Sequence, residues 1–144
     1  MKLTILQIND THGYLELHPE YFYGPEGIEV RPAGGYARLK SLVESIRQAE
    51  EHVLLFDNGD TIHGTFDALE SKGWHMMPVL KEMAIDAMTF HWDSAYSIEN
   101  LKKLAEEAGI PVLAANMYSK DKDERYFEPY LIRQVGQIKV GVIG

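Results

Sequence analysis

The sequence predicts an α/β domain with a mixed, mostly parallel sheet and flanking helices. Short apolar segments alternate along the chain with amphipathic segments in which apolar residues recur at helical spacing. Polar clusters follow the apolar segments, and in parallel sheets the chemistry collects at the carboxyl ends of the strands. No internal repeat, low-complexity tract or linker divides the 144 residues, so we expect one structural unit.

The first half of the chain is predicted to form two strands and one helix. The apolar runs 3–8 and 52–56 indicate strands. Residues 14–34, rich in Tyr, Gly and Pro, are expected to form an excursion before the helix. The helix follows Gly35 and is indicated by apolar residues at i, i+3, i+4 and i+7, which are Leu39, Leu42, Val43 and Ile46.

The second half is predicted to continue this alternation and to end in a hairpin. A helix is expected between about 69 and 84, with Pro78 either breaking it or starting it afresh. Strands are expected at 86–90 and 112–115, on either side of a helix over 101–108 that Gly109 and Pro111 end. The runs 130–135 and 138–143 indicate a hairpin with its turn at Gly136 and Gln137.

Composition restricts the classes of partner. The formal charge of −8 argues against binding to a nucleic acid polymer, because such binding is driven by Lys and Arg that neutralise phosphates. Any phosphate substrate is therefore expected to be small and held by a local positive centre such as a metal. The chain has no cysteine, so a metal would be held by His, Asp, Glu or Asn.

The N-terminal residues give an expectation about the compartment. Their apolar stretch is too short and too interrupted for a signal peptide, and no later segment approaches a membrane span. The sequence as it stands predicts a cytoplasmic protein without membrane association. An extracytoplasmic location remains open for a protein whose leader has been removed.

The first candidate metal ligands are Asp10 and His12, at the exit of the first predicted strand. Two residues apart, a carboxylate and an imidazole can project to the same side and converge on one cation. The alternative interpretation is that Asp10 initiates a turn and that His12 is an incidental loop residue.

The second candidate cluster is Asp57-Asn58-Gly59-Asp60, at the exit of the next strand. Gly59 allows a tight turn, and the two oxygens of the Asp60 carboxylate could bridge two cations. A plain Asn-Gly turn is the alternative when this segment is considered alone. Asp10, His12 and Asp60 together, on two strand exits separated by one helix, are a more specific signal than either cluster.

Six short motifs follow one another along almost the whole chain. They are Ile8-Asn9-Asp10-Thr11-His12-Gly13, Gly34-Gly35-Tyr36-Ala37-Arg38-Leu39, Asp57-Asn58-Gly59-Asp60-Thr61, Asp86-Ala87-Met88, Ala114-Ala115-Asn116 and Val140-Gly141-Val142-Ile143-Gly144. In their order and spacing, these motifs resemble the N-terminal metallophosphatase domain of bacterial 5′-nucleotidase and 2′,3′-cyclic phosphodiesterase, a calcineurin-like phosphoesterase.

This resemblance implies a site with two divalent metal ions, Mn²⁺, Zn²⁺ or Fe. Asp10 and His12 correspond to ligands of the first metal, and Asp60 corresponds to the carboxylate that bridges both. In the family, a hydroxide held between the metals attacks phosphorus in line. The implied function is therefore metal-dependent hydrolysis of a small phosphate ester or nucleotide.

The resemblance also implies that residues 1–144 are the N-terminal part of a metallophosphoesterase domain, the first half of a four-layer αββα sandwich. In the family, the remaining ligands come from the second half of the domain and recognition of the nucleotide base comes from a further C-terminal domain. We expect neither in this chain. An apolar sheet face is then expected to be exposed or paired with another copy in a homo-oligomer.

The third motif departs from the family. The family has Gly-Asn-His-Glu-Phe-Asp, in which Asn is a metal ligand and His assists at the phosphoryl group. In the register that Tyr96 and the downstream Glu99-Asn100-Leu101 support, His91 takes the Asn place as a metal ligand and Trp92 takes the His place. The other register puts Trp92 at the ligand and Asp93 at the His, which is disfavoured because indole is not a metal ligand. The candidate catalytic residues are His91 and Asp93.

Trp92 leaves two further functions open. An indole cannot transfer a proton or donate a charge-assisted hydrogen bond to a phosphoryl oxygen. The His-Trp-acid sequence is similar to that of the sulfur-oxidation thiosulfohydrolases, which implies hydrolysis of a sulfate group on the same metals. A degenerate domain that binds a metal or a partner without turnover is the non-enzymatic alternative.

Overall fold

A computed structural model describes all 144 residues, Met1–Gly144. Strands and helices alternate along the chain. The strands are β1 (Thr4–Ile8), β2 (Leu17–Gly24), β3 (Gly27–Gly34), β4 (Val53–Asp57), β5 (Ala87–Met88), β6 (Tyr130–Val135) and β7 (Ile138–Ile143). The helices are α1 (Tyr36–Ala49), α2 (Phe66–Ser71), α3 (Met77–Met83) and α4 (Ile98–Ala108), and Trp74–Met76 and Trp92–Tyr96 form 3₁₀ turns.

β1, β4 and β5 form the parallel sheet that positions the site. At the carboxyl end of the sheet, Ile8 lies opposite Asp57, and Asp57 lies opposite Met88. A parallel bridge between Met88 and Val112 continues the sheet. Because all these neighbours run in one direction, the loops that leave β1, β4 and β5 meet at the same edge.

The helices bury their apolar residues against this sheet. Leu55 in β4 has no exposed surface, and Met83 of α3 and Leu104 of α4 are almost completely buried. Removal of this apolar surface from water is the main stabilising contribution, at roughly 25 cal/mol per Å². The Arg47 guanidinium of α1 also donates to the carbonyl of Ala84 at 2.8 Å, where the last turn of α3 leaves carbonyls without helical partners.

The predicted α/β class, the parallel sheet and the terminal hairpin are confirmed. β6 and β7 pair antiparallel from Tyr130 opposite Ile143 to Val135 opposite Ile138. The sheet is extended only weakly after β5. Within the predicted strand 112–115, only Val112 and Leu113 form isolated bridges, and the strand predicted at 86–90 is confined to β5.

The helix predicted between about 69 and 84 is in fact two helices with a 3₁₀ turn between them. Lys72 and Gly73 both have positive φ, at 53° and 86°, which ends α2. A Cβ on Gly73 would lie 2.9 Å from the Ile62 Cβ, so the chain approaches Ile62 too closely for a larger residue. Pro78 lies in the first turn of α3, where a missing N–H costs nothing.

The excursion over 14–34 contains a regular hairpin that the sequence did not indicate. β2 and β3 pair antiparallel from Leu17 opposite Gly34 to Gly24 opposite Gly27. Tyr21 and Tyr23 are largely exposed on this hairpin, so no core-facing apolar alternation marked it in the sequence. No helix of the structure is both long enough and apolar enough to cross a membrane.

Candidate metal centre

Backbone hydrogen bonds hold the loops after β1 and β4 side by side. The N–H of Asp10 donates to the carbonyl of Gly59 at 2.9 Å, and the N–H of His12 donates to the carbonyl of Asp60 at 2.8 Å. The pairing continues from Gly13 to the carbonyl of Thr61 at 2.9 Å. The parallel register of β1 and β4 is thus prolonged beyond the sheet, and it places the two predicted ligand clusters next to each other.

The three residues at this junction have left-handed backbone conformations. The φ angles are 55° for Asp10, 51° for His12 and 57° for Asp60. Such angles are uncommon outside glycine, although Asp and His tolerate them better than most residues. Strained conformations of this kind persist where the surrounding structure fixes them, and they cluster at functional sites.

The side chains of Asp10, His12 and Asp60 converge. Their ligand atoms all lie within 4.8 Å of one another. The Nε2 atom of His12 lies 3.7 Å from Oδ1 of Asp10 and 4.0 Å from Oδ2 of Asp60. Two carboxylates and an imidazole at this spacing form a donor set suited to a divalent cation.

Asp60 is buried, and each of its oxygens has an imidazole partner. Its Oδ1 lies 2.5 Å from Nε2 of His63, and its Oδ2 lies 2.7 Å from Nδ1 of His91. Burial acts to raise the pKa of Asp60, but the hydrogen bonds from His63 and His91 outweigh it and hold that pKa well below its ordinary value. Asp60 is therefore a carboxylate anion. Each of its oxygens faces an imidazole that could itself bind a metal ion.

His91 stands at the exposed rim of the cluster. About two thirds of its side chain is accessible to solvent, while its Nδ1 contacts Asp60. The hydrogen bond to the Asp60 carboxylate raises the pKa of His91, and the nearby charge of that carboxylate adds to the effect. The structure therefore brings the predicted ligands Asp10, His12 and Asp60 together and places His91 in contact with Asp60.

Trp92 is joined to the cluster by its backbone rather than by its ring. Its N–H donates to Oδ1 of Asp60 at 2.9 Å, while the indole is largely exposed. The ring lies edge-on to the imidazole of His91, with centroids 5.6 Å apart. The indole consequently lies at the surface beside the imidazole of His91.

Asp93, predicted as a candidate catalytic residue, is fully buried and engaged with the backbone. Its Oδ1 accepts from the N–H groups of Thr61 and Ile62, both at 2.8 Å. Its Oδ2 accepts from Asp60 at 2.7 Å and from His91 at 3.2 Å. This geometry differs from the expectation, because both oxygens hold the loop of Asp60 and neither is free to meet a substrate.

Two further residues lie at the site, Asp57 and His63, and neither was among the predicted ligands. Asp57 is buried, and its carboxylate accepts from the Thr61 hydroxyl at 2.8 Å and from the Gly59 N–H at 2.9 Å. Burial raises the pKa of Asp57 from 3.8 to about 7. In the sequence, Asp57 resembles an ordinary residue of the Asn-Gly turn. Only its burial in the structure identifies it as part of the site.

His63 contacts Asp60 and packs edge-on against His12, with ring centroids 5.0 Å apart. In the sequence, the one indication that His63 belongs to the site is its position three residues after Asp60. Asn116, the last residue of the Ala114-Ala115-Asn116 motif, is exposed and makes no side-chain hydrogen bond to the cluster.

The family described as Calcineurin-like phosphoesterase matches residues 3–118, which include the whole cluster. The chain belongs to the calcineurin-like phosphoesterases. This agrees with the α/β fold and with a group of acidic and imidazole ligands at the carboxyl edge of a parallel sheet.

Individual relatives of this phosphoesterase chain are longer proteins. The 5′-nucleotidase of Bos taurus is 36% identical over 99% of this chain, which spans 26% of the relative. The NAD nucleotidase of Haemophilus influenzae superposes with a TM-score of 0.82 at 29% identity, over 98% of this chain and 26% of the relative. The sulfate thiohydrolase SoxB of Thermus thermophilus superposes with a TM-score of 0.84 at 20% identity, over 98% and 34%, which shows a shared fold.

Replacing Asp93 by Asn tests its hold on the ligand loop. In the variant, an amide NH₂ would replace one of the two oxygens that accept from backbone N–H groups. Those buried N–H donors would then have no acceptor. We expect Asp93→Asn to lower the free energy of unfolding of this chain by about 1 to 3 kcal/mol, measured in urea. Asp121→Asn in the exposed loop is the control and is expected to change stability by less than about 0.5 kcal/mol. Equal stability of both variants would contradict the role of Asp93.

The raised pKa of Asp57 predicts a pH dependence of stability. Between its ordinary pKa of 3.8 and its folded pKa of about 7, the folded state binds more protons than the unfolded state, so this carboxyl lowers stability as pH rises. Asp57→Asn mimics the protonated acid and removes that slope. In chelator-treated protein, its stability relative to wild type should increase from pH 4 to pH 7, by at most about 1.4 kcal/mol per pH unit. Parallel stability profiles would refute this assignment.

Proposed function

We propose that the whole protein hydrolyses phosphate esters at a centre of two divalent cations, with Asp10, His12, Asp60 and His91 as ligands from this chain. The observation that carries the proposal is the convergence of Asp10, His12 and Asp60, with ligand atoms within 4.8 Å. Membership of the calcineurin-like phosphoesterases supports the reaction type. The chain spans about a quarter of the length of these relatives, so we expect further ligands from the rest of the protein.

The donor set fits the proposed cations. Carboxylate oxygens and imidazole nitrogens without thiolates suit Mn²⁺, Zn²⁺ or Fe. The two oxygens of Asp60 contact different imidazoles, which supports the proposed bridging of two cations by this carboxylate. Bound cations would supply an activated water and neutralise the negative charge that develops on the phosphoryl oxygens.

The other residues of the site position these ligands. Asp93 holds the backbone of Asp60, Thr61 and His91 through buried hydrogen bonds. His63 orients the Asp60 carboxylate by contacting the oxygen opposite to the one that faces His91. We propose a positioning role for Asp93 in place of the catalytic role that its sequence position suggested. His91 stays a candidate for contact with the substrate because it is exposed.

A nucleotide is the substrate class we favour. The chain is similar to a 5′-nucleotidase and to an NAD nucleotidase over almost its whole length. Its net charge of −8 disfavours a polymeric phosphate and leaves a small ester as the substrate.

Trp92 favours a second candidate, a sulfate ester. Its exposed indole, which lies beside the imidazole of His91, offers no charge-assisted donor to a phosphoryl oxygen. A thiosulfohydrolase-like reaction on the same ligands would not depend on that donor. A domain that binds metal without turnover is the third outcome that the substrate test below distinguishes.

Metal analysis tests the centre. Full-length protein should contain close to two ions of Mn, Zn or Fe per molecule, whereas Asp60→Ala should lose both because the two sites share this carboxylate. The readout is elemental analysis after removal of free metal. Asp121→Ala, in the exposed loop, should retain both ions. A full-length protein that stays metal-free in every preparation would refute the proposal.

Substrate comparison tests the reaction class. We expect full-length protein to hydrolyse AMP and bis(p-nitrophenyl) phosphate, and Asp60→Ala to lose this activity by at least about a hundredfold, since removal of one key electrostatic group costs roughly that much. The measurements are release of phosphate and of p-nitrophenol. Turnover of a thiosulfate ester alone would establish the second candidate, and turnover of none of the three would establish a non-catalytic domain.

A further inference from the structure

The sequence Gly34-Gly35-Tyr36 lies where α1 begins, and it packs against the segment between β1 and β2. Gly34 and Gly35 have positive φ angles of 72° and 83°. A Cβ on Gly35 would lie 3.3 Å from the carbonyl carbon of Glu16. The two glycines therefore allow Tyr36, the first residue of α1, to approach the segment that carries two of the proposed metal ligands.

Tyr36 holds this segment at two points. Its hydroxyl is hydrogen-bonded to the Thr11 hydroxyl at 2.7 Å, and its N–H donates to the carbonyl of Leu15 at 2.9 Å. Between these points the N–H of Tyr14 donates to the carbonyl of Thr11 at 3.0 Å, which closes a turn. His12 lies within the stretch that Tyr36 spans.

Thr11 connects the ligand loop to α1, whereas its neighbours connect it to the loop after β4. The N–H groups of Asp10 and His12 donate to the carbonyls of Gly59 and Asp60. Thr11 lies between these two residues and bonds to α1 through its side chain. The loop is therefore held from two sides, by backbone hydrogen bonds on one and by a single pair of hydroxyls on the other.

The hydroxyl of Tyr36 has a role that is separable from the packing of its ring. Tyr36 is 4% exposed, and its ring belongs to the hydrophobic core. Burial raises the pKa of Tyr36 above its ordinary value, so the phenol stays protonated in neutral solution. The change Tyr36→Phe thus removes the hydrogen bond to Thr11 and keeps the aromatic ring in the core.

We propose that Tyr36 is a positioning residue for the first metal ion and that it acts through the hydrogen bond between its hydroxyl and that of Thr11. The inference rests on the proposed function, because it concerns the cation that Asp10 and His12 would bind. A loop held by α1 presents both ligands without having to be ordered by the metal. Asp60 is held separately by Asp93, so loss of the Tyr36 hydroxyl should affect one cation more than the other.

Calorimetric titration of metal-free, full-length protein with Mn²⁺, and with Zn²⁺ in a second series, tests this role. Tyr36→Phe and Thr11→Val should each weaken one of the two metal sites by about tenfold and leave the other within about twofold. Thr11→Ser retains the hydroxyl and should retain the affinity of the wild type. Tyr23→Phe removes an exposed hydroxyl on the β2–β3 hairpin and is the control, expected to change neither site.

The double variant Tyr36→Phe/Thr11→Val distinguishes one shared hydrogen bond from two separate effects. Because the two hydroxyls bond to each other, the double variant should weaken the metal site no more than either single variant does. A loss of about a hundredfold, the product of two tenfold losses, would mean that the hydroxyls act independently and would overturn the proposal.

Hydrogen exchange in the metal-free protein locates the effect in the chain. Tyr36→Phe should speed exchange of the N–H groups of His12 and Gly13 by up to about tenfold, because these groups hold the ligand loop against the loop after β4. Exchange at Leu104 in the buried part of α4 should stay unchanged. Faster exchange at all these positions would indicate general destabilisation and would contradict a positioning role.

The titrations separate failure of this inference from failure of the proposed function. Equal weakening of both metal sites in Tyr36→Phe, or unchanged affinity at both, overturns the role of Tyr36 and leaves the two-metal centre in place. A wild-type protein that binds neither Mn²⁺ nor Zn²⁺ removes the centre, and this inference with it.

Discussion

The site depends on the buried carboxylate of Asp93 and its hydrogen bonds to the loop of Asp60. Four backbone N–H groups, from Asp60, Thr61, Ile62 and His91, converge on its two oxygens. Asp60 is thereby held in a left-handed conformation that it would not adopt readily in a free loop. Because charge-assisted hydrogen bonds are strong when shielded from water, one carboxylate can fix both the ligand loop and the start of the 3₁₀ turn that carries Trp92.

Fixing Asp60 also divides the surface around it into regions of different chemistry. Acidic and imidazole groups lie together on one side, where they suit a divalent cation. On the other side, Trp92 and Phe66 present uncharged aromatic surface. Trp92, which departs from the family motif, therefore lies where these two regions meet, with its ring against His91.

Sequence patterns predicted the elements whose signal is local and periodic. The apolar spacing around Val43 predicted the helix α1, and the apolar run 52–56 predicted β4 to within one residue of its observed bounds, Val53–Asp57. The break at Gly73 was not predicted, because it arises from the approach of the chain to Ile62, which is a tertiary contact. The β2–β3 hairpin was also missed, since its exposed strands have no core to impose an alternation.

The sequence by itself determined the α/β class, the family resemblance and the identity of Asp10, His12, Asp60 and His91 as one candidate set, because these depend on residue type and order. The tertiary structure decided which neighbours serve them. His63 and Asp93 are separated by 30 positions in the chain, yet both bind at Asp60, one to its carboxylate and one to its backbone. Burial distinguishes Asp93, a proposed positioning residue, from the exposed His91. Burial depends on tertiary packing, so it cannot be inferred from the spacing of residues along the chain.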